Sequence, residues 1–202
     1  RPFYGSIKDV TVSMDPDGKY YASILVDTAI SEKPCGQVEQ STTIGIDTGV
    51  KTFAVCSDGR EFSAPHFAKS AEKRLKHYQR ELRHKTKGSS GWKKVRHHIA
   101  LIHAKTANRR LDYIHKVTHQ LTHDSQVRTI CIEDLNVKGM LSNHHLAYSI
   151  ADASIGRFYS ILEYKCRWEG INLVCIGRWA ASSKTCSACG EVNRRLKLSD
   201  RQ

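Results

Sequence analysis

At 202 residues, with 40% apolar and 26% charged side chains, the chain has the length for one domain or two small ones and too much apolar character for disorder. No apolar run reaches the ~20 residues of a membrane helix and no signal sequence opens the chain, which excludes a helical membrane span and favours a cytoplasmic protein. The net charge of +12 is uneven: residues 69–116 hold 15 Lys and Arg against Glu72, Glu81 and Asp112, and the rest of the chain balances.

Ile7, Val10 and Val12 alternate with polar neighbours, and a second β-rich run covers Tyr20 to Val26. Asp15-Pro16-Asp17-Gly18 between them is turn chemistry, so the chain begins with a hairpin. Residues 30–40, with Pro34 and Gly36, form a linker. Thr43-Ile44-Gly45-Ile46-Asp47-Thr48-Gly49 is a buried strand that delivers a carboxylate between two glycines, which let a backbone or a phosphate come close. Thr52 to Cys56, the Asp58-Gly59 turn and Glu61-Phe62-Ser63 extend it into an antiparallel meander. Helix begins near His66, with Leu75, Tyr78 and Leu82 on one face, and breaks at Lys87-Gly88-Ser89-Ser90-Gly91. A second helix runs from Trp92 to about His123, its apolar stripe carried by Val95, Ile99, Ile102, Leu111, Ile114, Val117 and Leu121. The two form an antiparallel helical hairpin over about residues 66–124. Its basic residues, among them Lys73, Arg74, Arg80, Arg83, Lys93, Lys94 and Arg109, lie off the apolar stripe. A solvated helix surface would account for them, but so dense a one-sided block is better matched to a polyanion such as nucleic acid.

Val127 to Ile132 is the next strand, and it stops at Glu133-Asp134. Asn136 to His145 is polar and loop-like. Tyr148 to Gly170 reads as one helix with Ile150, Phe158, Ile161 and Leu162 inward and Gly170 at its C-terminus, followed by a strand over Ile171 to Ile176. Seven cysteines, an odd number with only Cys186 and Cys189 close together, fit a reducing compartment. Cys35, Cys56, Cys131, Cys166 and Cys175 read as small buried hydrophobes.

This order of strands and helices is that of a ribonuclease-H-like mixed α/β sheet. Such a sheet cuts phosphodiesters with carboxylates that hold two divalent ions about 3.5–4 Å apart. Asp47 and Glu133 supply two carboxylates of the kind that Mg²⁺ prefers, although each alone also fits an ordinary solvated strand-end acid. Cys186-x₂-Cys189-Gly190 reads as half of a zinc knuckle, the glycine after the second cysteine fitting a knuckle turn better than a redox or chance pair. A closed structural site needs four ligands, and nothing in the spacing of His144 and His145 makes them substitutes.

Ile44-Gly45-Ile46-Asp47-Thr48-Gly49, Ile132-Glu133-Asp134-Leu135, Leu146-Ala147 leading to Leu162-Glu163-Tyr164-Lys165, and Ser182-Ser183-Lys184-Thr185-Cys186-Ser187-Ala188-Cys189-Gly190 together resemble the OrfB/TnpB family. These are transposon-encoded relatives of the type V CRISPR effectors, and the resemblance runs from about residue 5 to the end. It implies an RNA-guided DNA endonuclease with a RuvC-like nuclease domain interrupted by a zinc ribbon, working with guide RNA, target DNA, Mg²⁺ (or Mn²⁺) and Zn²⁺ in the cytoplasm at the nucleoid. By that resemblance Asp47 and Glu133 are the first two catalytic acids and Cys186 and Cys189 the first ribbon pair. Residues 1–40 correspond to the end of a barrel-like (wedge) domain plus linker, 41–181 to the nuclease domain and 182–202 to the first half of the ribbon. The family's second Cys pair and its third acid, in an Arg-Asp-x-Asn-Ala-Ala segment, do not occur before Gln202; Asp200 precedes the expected pair and is not that acid. Ala180-Ala181 also departs from the Pro common before the two serines. The expectation is therefore that these 202 residues by themselves bind zinc weakly and do not cleave DNA, and that the source protein is larger.

Two rival readings are a nuclease-dead guided repressor of the same ancestry and a DDE-type transposase. Retention of both Asp47 and Glu133 weighs against the first. The cysteine pair after the last strand and the basic hairpin weigh against the second.

Overall fold

The computed structural model describes residues 4–28, 31–144, 146–177, 185, 189 and 191–193. It opens with an antiparallel hairpin of β1 (Ser6–Met14) and β2 (Tyr20–Asp27). The chain reverses through Asp15–Gly18, where Gly18 N–H donates to the Asp15 carbonyl at 2.8 Å and takes a φ of 85° that favours glycine. Ile7, Val10, Val12, Tyr20 and Ile24 are all exposed on this two-stranded sheet.

The second sheet has five strands in the order β5-β4-β3-β6-β7: β3 (Thr43–Thr48), β4 (Thr52–Cys56), β5 (Glu61–Ser63), β6 (Thr129–Glu133) and β7 (Asn172–Ile176). β3, β4 and β5 pair antiparallel through tight turns, whereas β3–β6 and β6–β7 are parallel. Parallel neighbours require crossovers, and helices provide them. α1 (Phe67–Arg83) and α2 (Ser90–Thr122) lie between β5 and β6; α3 (Val137–Leu141), α4 (Ala147–Ala153) and α5 (Ile155–Glu169) lie between β6 and β7. The result is the expected α/β architecture with a mixed sheet and a long helical-hairpin insertion.

Side chains alternate across β3 and β6. Ile44, Ile46, Ile130 and Ile132 are buried, and they join Phe53, Ile114, Val117, Leu121, Phe158, Ile161 and Leu162 in one core. Phe53 packs edge-to-face on Tyr113 and Phe158, with ring centroids 5.4 and 5.2 Å away. Lys165 on α5 donates to the His115 carbonyl at 2.9 Å and to Thr118 Oγ1 at 2.8 Å, tying α5 to α2; partial burial holds its ammonium below the usual lysine range. Only the second half of α2 reaches this core. Its first half packs on α1, with Tyr78 stacked on His98 at 5.1 Å. A 33-residue helix is about 50 Å long, so the hairpin extends well beyond the sheet. Ser89 caps α2 by accepting from Trp92 N–H at 3.1 Å.

Three sequence expectations are corrected. The single helix expected over Tyr148–Gly170 is two helices, α4 and α5, separated at Ser154, whose φ is 54°. The break lets α4 turn Asp152 toward α1. His66 starts α1 with no side-chain cap of its own, and buried Asp152 accepts instead from Ala68 N–H at 2.9 and 3.0 Å. Arg110 of α2 pairs with the same carboxylate at 2.9 Å. Second, the loop expected over residues 136–145 contains α3, capped by the Asn136 side chain accepting from Gly139 N–H at 3.0 Å. Third, of the five cysteines expected inside, Cys56 and Cys166 are buried, Cys131 is half-buried, and Cys35 and Cys175 are exposed. The last two sit on the linker and the edge strand β7, which the core does not cover. Among the described residues no helix is long and apolar enough to cross a membrane.

Candidate active site

Ile46 pairs with Ile132 across the parallel β3–β6 ladder, and each is followed by an acid. Asp47 and Glu133 thus occupy equivalent positions near the carboxyl ends of adjacent strands. The alternation that buries Ile46 and Ile132 sends both acids to the opposite, open face. There they line one recess of about 330 Å³ with Gly45, Val55, Ser57, Cys131 and Ile176. Asp47 is exposed and Glu133 half-buried.

The end of β3 is held from beneath. Thr48 is buried and its Oγ1 lies 2.9 Å from the Tyr159 hydroxyl on α5. Burial raises the Tyr159 pKa first of all, and the charges of Glu133 and Asp47 add to the rise while the Thr48 hydrogen bond opposes it. The phenol therefore stays neutral beneath two carboxylates. A Cβ at Gly49 would stand 3.0 Å from the Thr52 carbonyl, a tight contact in the β3–β4 turn that glycine avoids. Ser57 Oγ accepts from Gly45 N–H at 3.0 Å and closes the other end of the turn region onto β3. Sequence reading assigned no role to Thr48, which lies within the Asp47 motif, or to Tyr159, which carries no motif. Tyr159→Phe is expected to lower stability by about 1 kcal/mol, or roughly 2–4 °C in melting temperature, through loss of the bond to Thr48. Thr48→Val in the same chain adds little further, which a double-mutant cycle on thermal melts will check.

The donor set of the recess favours hard cations. Burial, reinforced by Asp58, pushes the Cys56 thiol up to about 11, and burial also raises Cys131. The two carboxylates are the hard oxygen donors of the recess, of the kind that Mg²⁺ or Mn²⁺ binds. Among the described residues no group of three His, Cys, Asp or Glu is gathered for a metal ion.

Lys73, Arg74, Arg80 and Arg83 on α1, and Lys93, Lys94 and Arg109 on α2, are all exposed. Arg74 and Arg109 face each other across the groove between the helices, where the structure adds Lys105, absent from the sequence expectations. Cys186 lies outside the described residues. Cys189 is exposed, and an isolated antiparallel bridge pairs Thr185 with Val192 on either side of it.

Comparison with known proteins places this geometry in context. The OrfB_IS605 family model, described as "Probable transposase", matches residues 25–144, and the "Cas12f1-like, TNB domain" model matches 156–201. A Streptomyces pristinaespiralis protein named "Putative RNA-guided DNA endonuclease" is 38% identical over 193 residues, covering 96% of this chain and 46% of that protein. The Escherichia coli (strain K12) "Putative RNA-guided DNA endonuclease InsQ" is 32% identical over 215 residues, covering 98% of this chain and 52% of its own length. The chain thus spans about half the length of these curated relatives. Among solved structures, the cryo-EM CRISPR-Cas12f ternary complex aligns with a TM-score of 0.55 and 21% identity over 93% of this chain and 38% of that one. The Cas12f1-sgRNA-target DNA complex gives 0.55 and 22% over 89% and 36%. At these identities the likeness is one of fold. The family model covers more than half of the sequence, and the chain belongs to the OrfB_IS605 family.

Proposed function

We propose that this chain is the nuclease-bearing part of an RNA-guided DNA endonuclease, with Asp47 and Glu133 as the first two carboxylates of a RuvC-like site. The observation that carries the proposal is their placement at equivalent positions of two adjacent parallel strands, facing one open recess. The names of the relatives support the same activity, and with it guide RNA and target DNA as partners. Asp47 and Glu133 would hold Mg²⁺ or Mn²⁺, which binds through one or two carboxylates and fills its remaining positions with water and substrate phosphate. Held there, such ions supply stabilisation of the charge that develops on the phosphoryl oxygens during hydrolysis.

The chain's own residues do the rest. The open face of the sheet admits a backbone phosphate to the two carboxylates, and the Thr48–Tyr159 bond fixes the strand end that carries Asp47. The exposed basic groups of α1 and α2 hold nucleic acid by its phosphates. Guide-dependent, Mg²⁺-dependent cleavage of a matched DNA by the full-length protein tests this reading. Guided binding without cleavage by the wild type would instead mark a repressor.

We further propose Cys186 and Cys189 as half of a tetrahedral zinc site, with the domain boundaries expected from sequence. The exposed thiol of Cys189 and the bridge between Thr185 and Val192, which flank the pair in sequence, support it. Cys189→Ser is expected to remove zinc from the full-length protein, measured as metal content after dialysis. Unchanged stoichiometric zinc would remove this cysteine from the site.

A further inference from the structure

The cations of the α1–α2 hairpin fall into two groups. Several are matched by acids of the chain: Lys76 with Glu72, Lys85 with Glu81 at 3.4 Å, Arg110 with Asp152 at 2.9 Å and Lys116 with Asp112 at 2.8 Å. Arg74 from α1 and Lys105 and Arg109 from α2 instead line a groove of about 120 Å³. None of these three has a carboxylate within ion-pair distance among the described residues. Lys105 and Arg109 are four residues apart and so project from one face of α2, toward Arg74. The Arg109 guanidinium sits 4.8 Å over the Phe67 ring, a contact that orients its plane and leaves its edge donors for a ligand. The groove hydroxyls are already committed: Ser70 donates to the Phe67 carbonyl at 2.8 Å and Thr106 to the Ile102 carbonyl at 2.9 Å. The donors left for a ligand are the three cations, and Ala71 and Ile102 give the groove an apolar floor.

We propose that this groove seats a phosphodiester of a bound nucleic-acid strand, gripped from both helices at once. The inference rests on the nucleic-acid reading above and assigns one specific contact within it. Three uncompensated cations in a shallow cleft match an anion whose oxygens accept from several directions. The apolar floor suits the sugar beside a phosphodiester better than a fully hydrated free anion. Exposed Lys73 and Arg80 continue the positive charge along α1, as a strand carrying one charge per nucleotide requires. The guide RNA and the target DNA present this same chemistry, and the measurement separates them.

The test is the salt dependence of binding by the full chain, read by fluorescence anisotropy between about 50 and 200 mM salt with a short RNA and with single- and double-stranded DNA of the same sequence. Arg74→Gln, Lys105→Gln and Arg109→Gln combined are expected to flatten the slope of log K against log salt by about 0.7–0.9, the contribution of the one phosphate the groove holds. Lys76→Gln, Lys85→Gln and Lys116→Gln combined, which remove cations already paired internally, should change it much less. A loss confined to the RNA assigns the groove to the guide, and one confined to DNA assigns it to the target. An unchanged slope in the groove variant, with normal melting and with a slope that does respond to Lys93→Gln and Lys94→Gln, overturns the seat and leaves the general nucleic-acid reading standing. No salt-dependent binding by the wild type overturns both.

Discussion

Asp47→Asn in the full-length protein is expected to lower metal-dependent DNA cleavage by about 10³-fold or more while guided binding stays near wild type. Glu133→Gln should do the same. The physical reason is that a carboxylate contributes a full negative charge and hard oxygen donors to a divalent ion, whereas an amide keeps the shape and loses both. An ion so bound offsets several kcal/mol of charge developing in the transition state, and about 1.4 kcal/mol corresponds to a factor of ten. Affinity comes instead from phosphate contacts and base pairing, which neither substitution touches. Asp47 is exposed, so the isosteric change should leave melting nearly unaltered. Asp134→Asn is the control, because Asp134 follows the last residue of β6 and lies outside the recess lining. Wild-type cleavage by either acid variant would remove that residue from the mechanism. Loss of melting temperature alongside activity would mark a structural role.

The second large effect is expected at Asp152, which belongs to no motif. Its carboxylate is buried, accepts from the first free N–H groups of α1, and pairs with Arg110 of α2. Arg110 also donates through Nε to the Asp152 carbonyl at 2.9 Å. One side chain thereby joins α1, α2 and α4. Removing one partner of such a pair leaves the other charge poorly solvated, which typically costs about 3–5 kcal/mol, and uncapping α1 adds about 1 kcal/mol. Asp152→Ala is therefore expected to cost about 4–6 kcal/mol in thermal or denaturant unfolding. Arg110→Met combined with Asp152→Leu should cost clearly less than the sum of the single changes, since no buried charge is left over. Additive losses would show that the two residues act separately.

These two sites differ in how far they could be read in advance. The strand that carries Asp47 and the strand that carries Glu133 were legible because short β-branched and apolar runs ending at acids are local signals. Turn chemistry at Asp15–Gly18 and Asp58–Gly59 placed both hairpins for the same reason. The two long helices followed from their 3.6-residue periodicity and the glycine-serine break between them. The clustering of positive charge between residues 69 and 116 is also a fact of sequence.

What the sequence could not decide was contact between distant segments. The split of one expected helix at Ser154 has no proline or glycine at the break to announce it; a left-handed serine is tolerated because Asp152 gains partners 42 and 84 residues away. Tyr159 sits one residue from a buried phenylalanine and looks like any half-buried aromatic until α5 packs beneath β3 and brings its hydroxyl to Thr48. Which cations are neutralised and which stay open across the α1–α2 groove depends on the facing of two helices, since pairs four residues apart can be counted along one helix but not between two. The sequence by itself determined the elements and the two acids, because periodicity and turn chemistry act over a few residues. Only the tertiary structure decided that those acids face one open recess, that Asp152 locks the hairpin and that three cations converge, because each depends on packing between segments far apart in the chain.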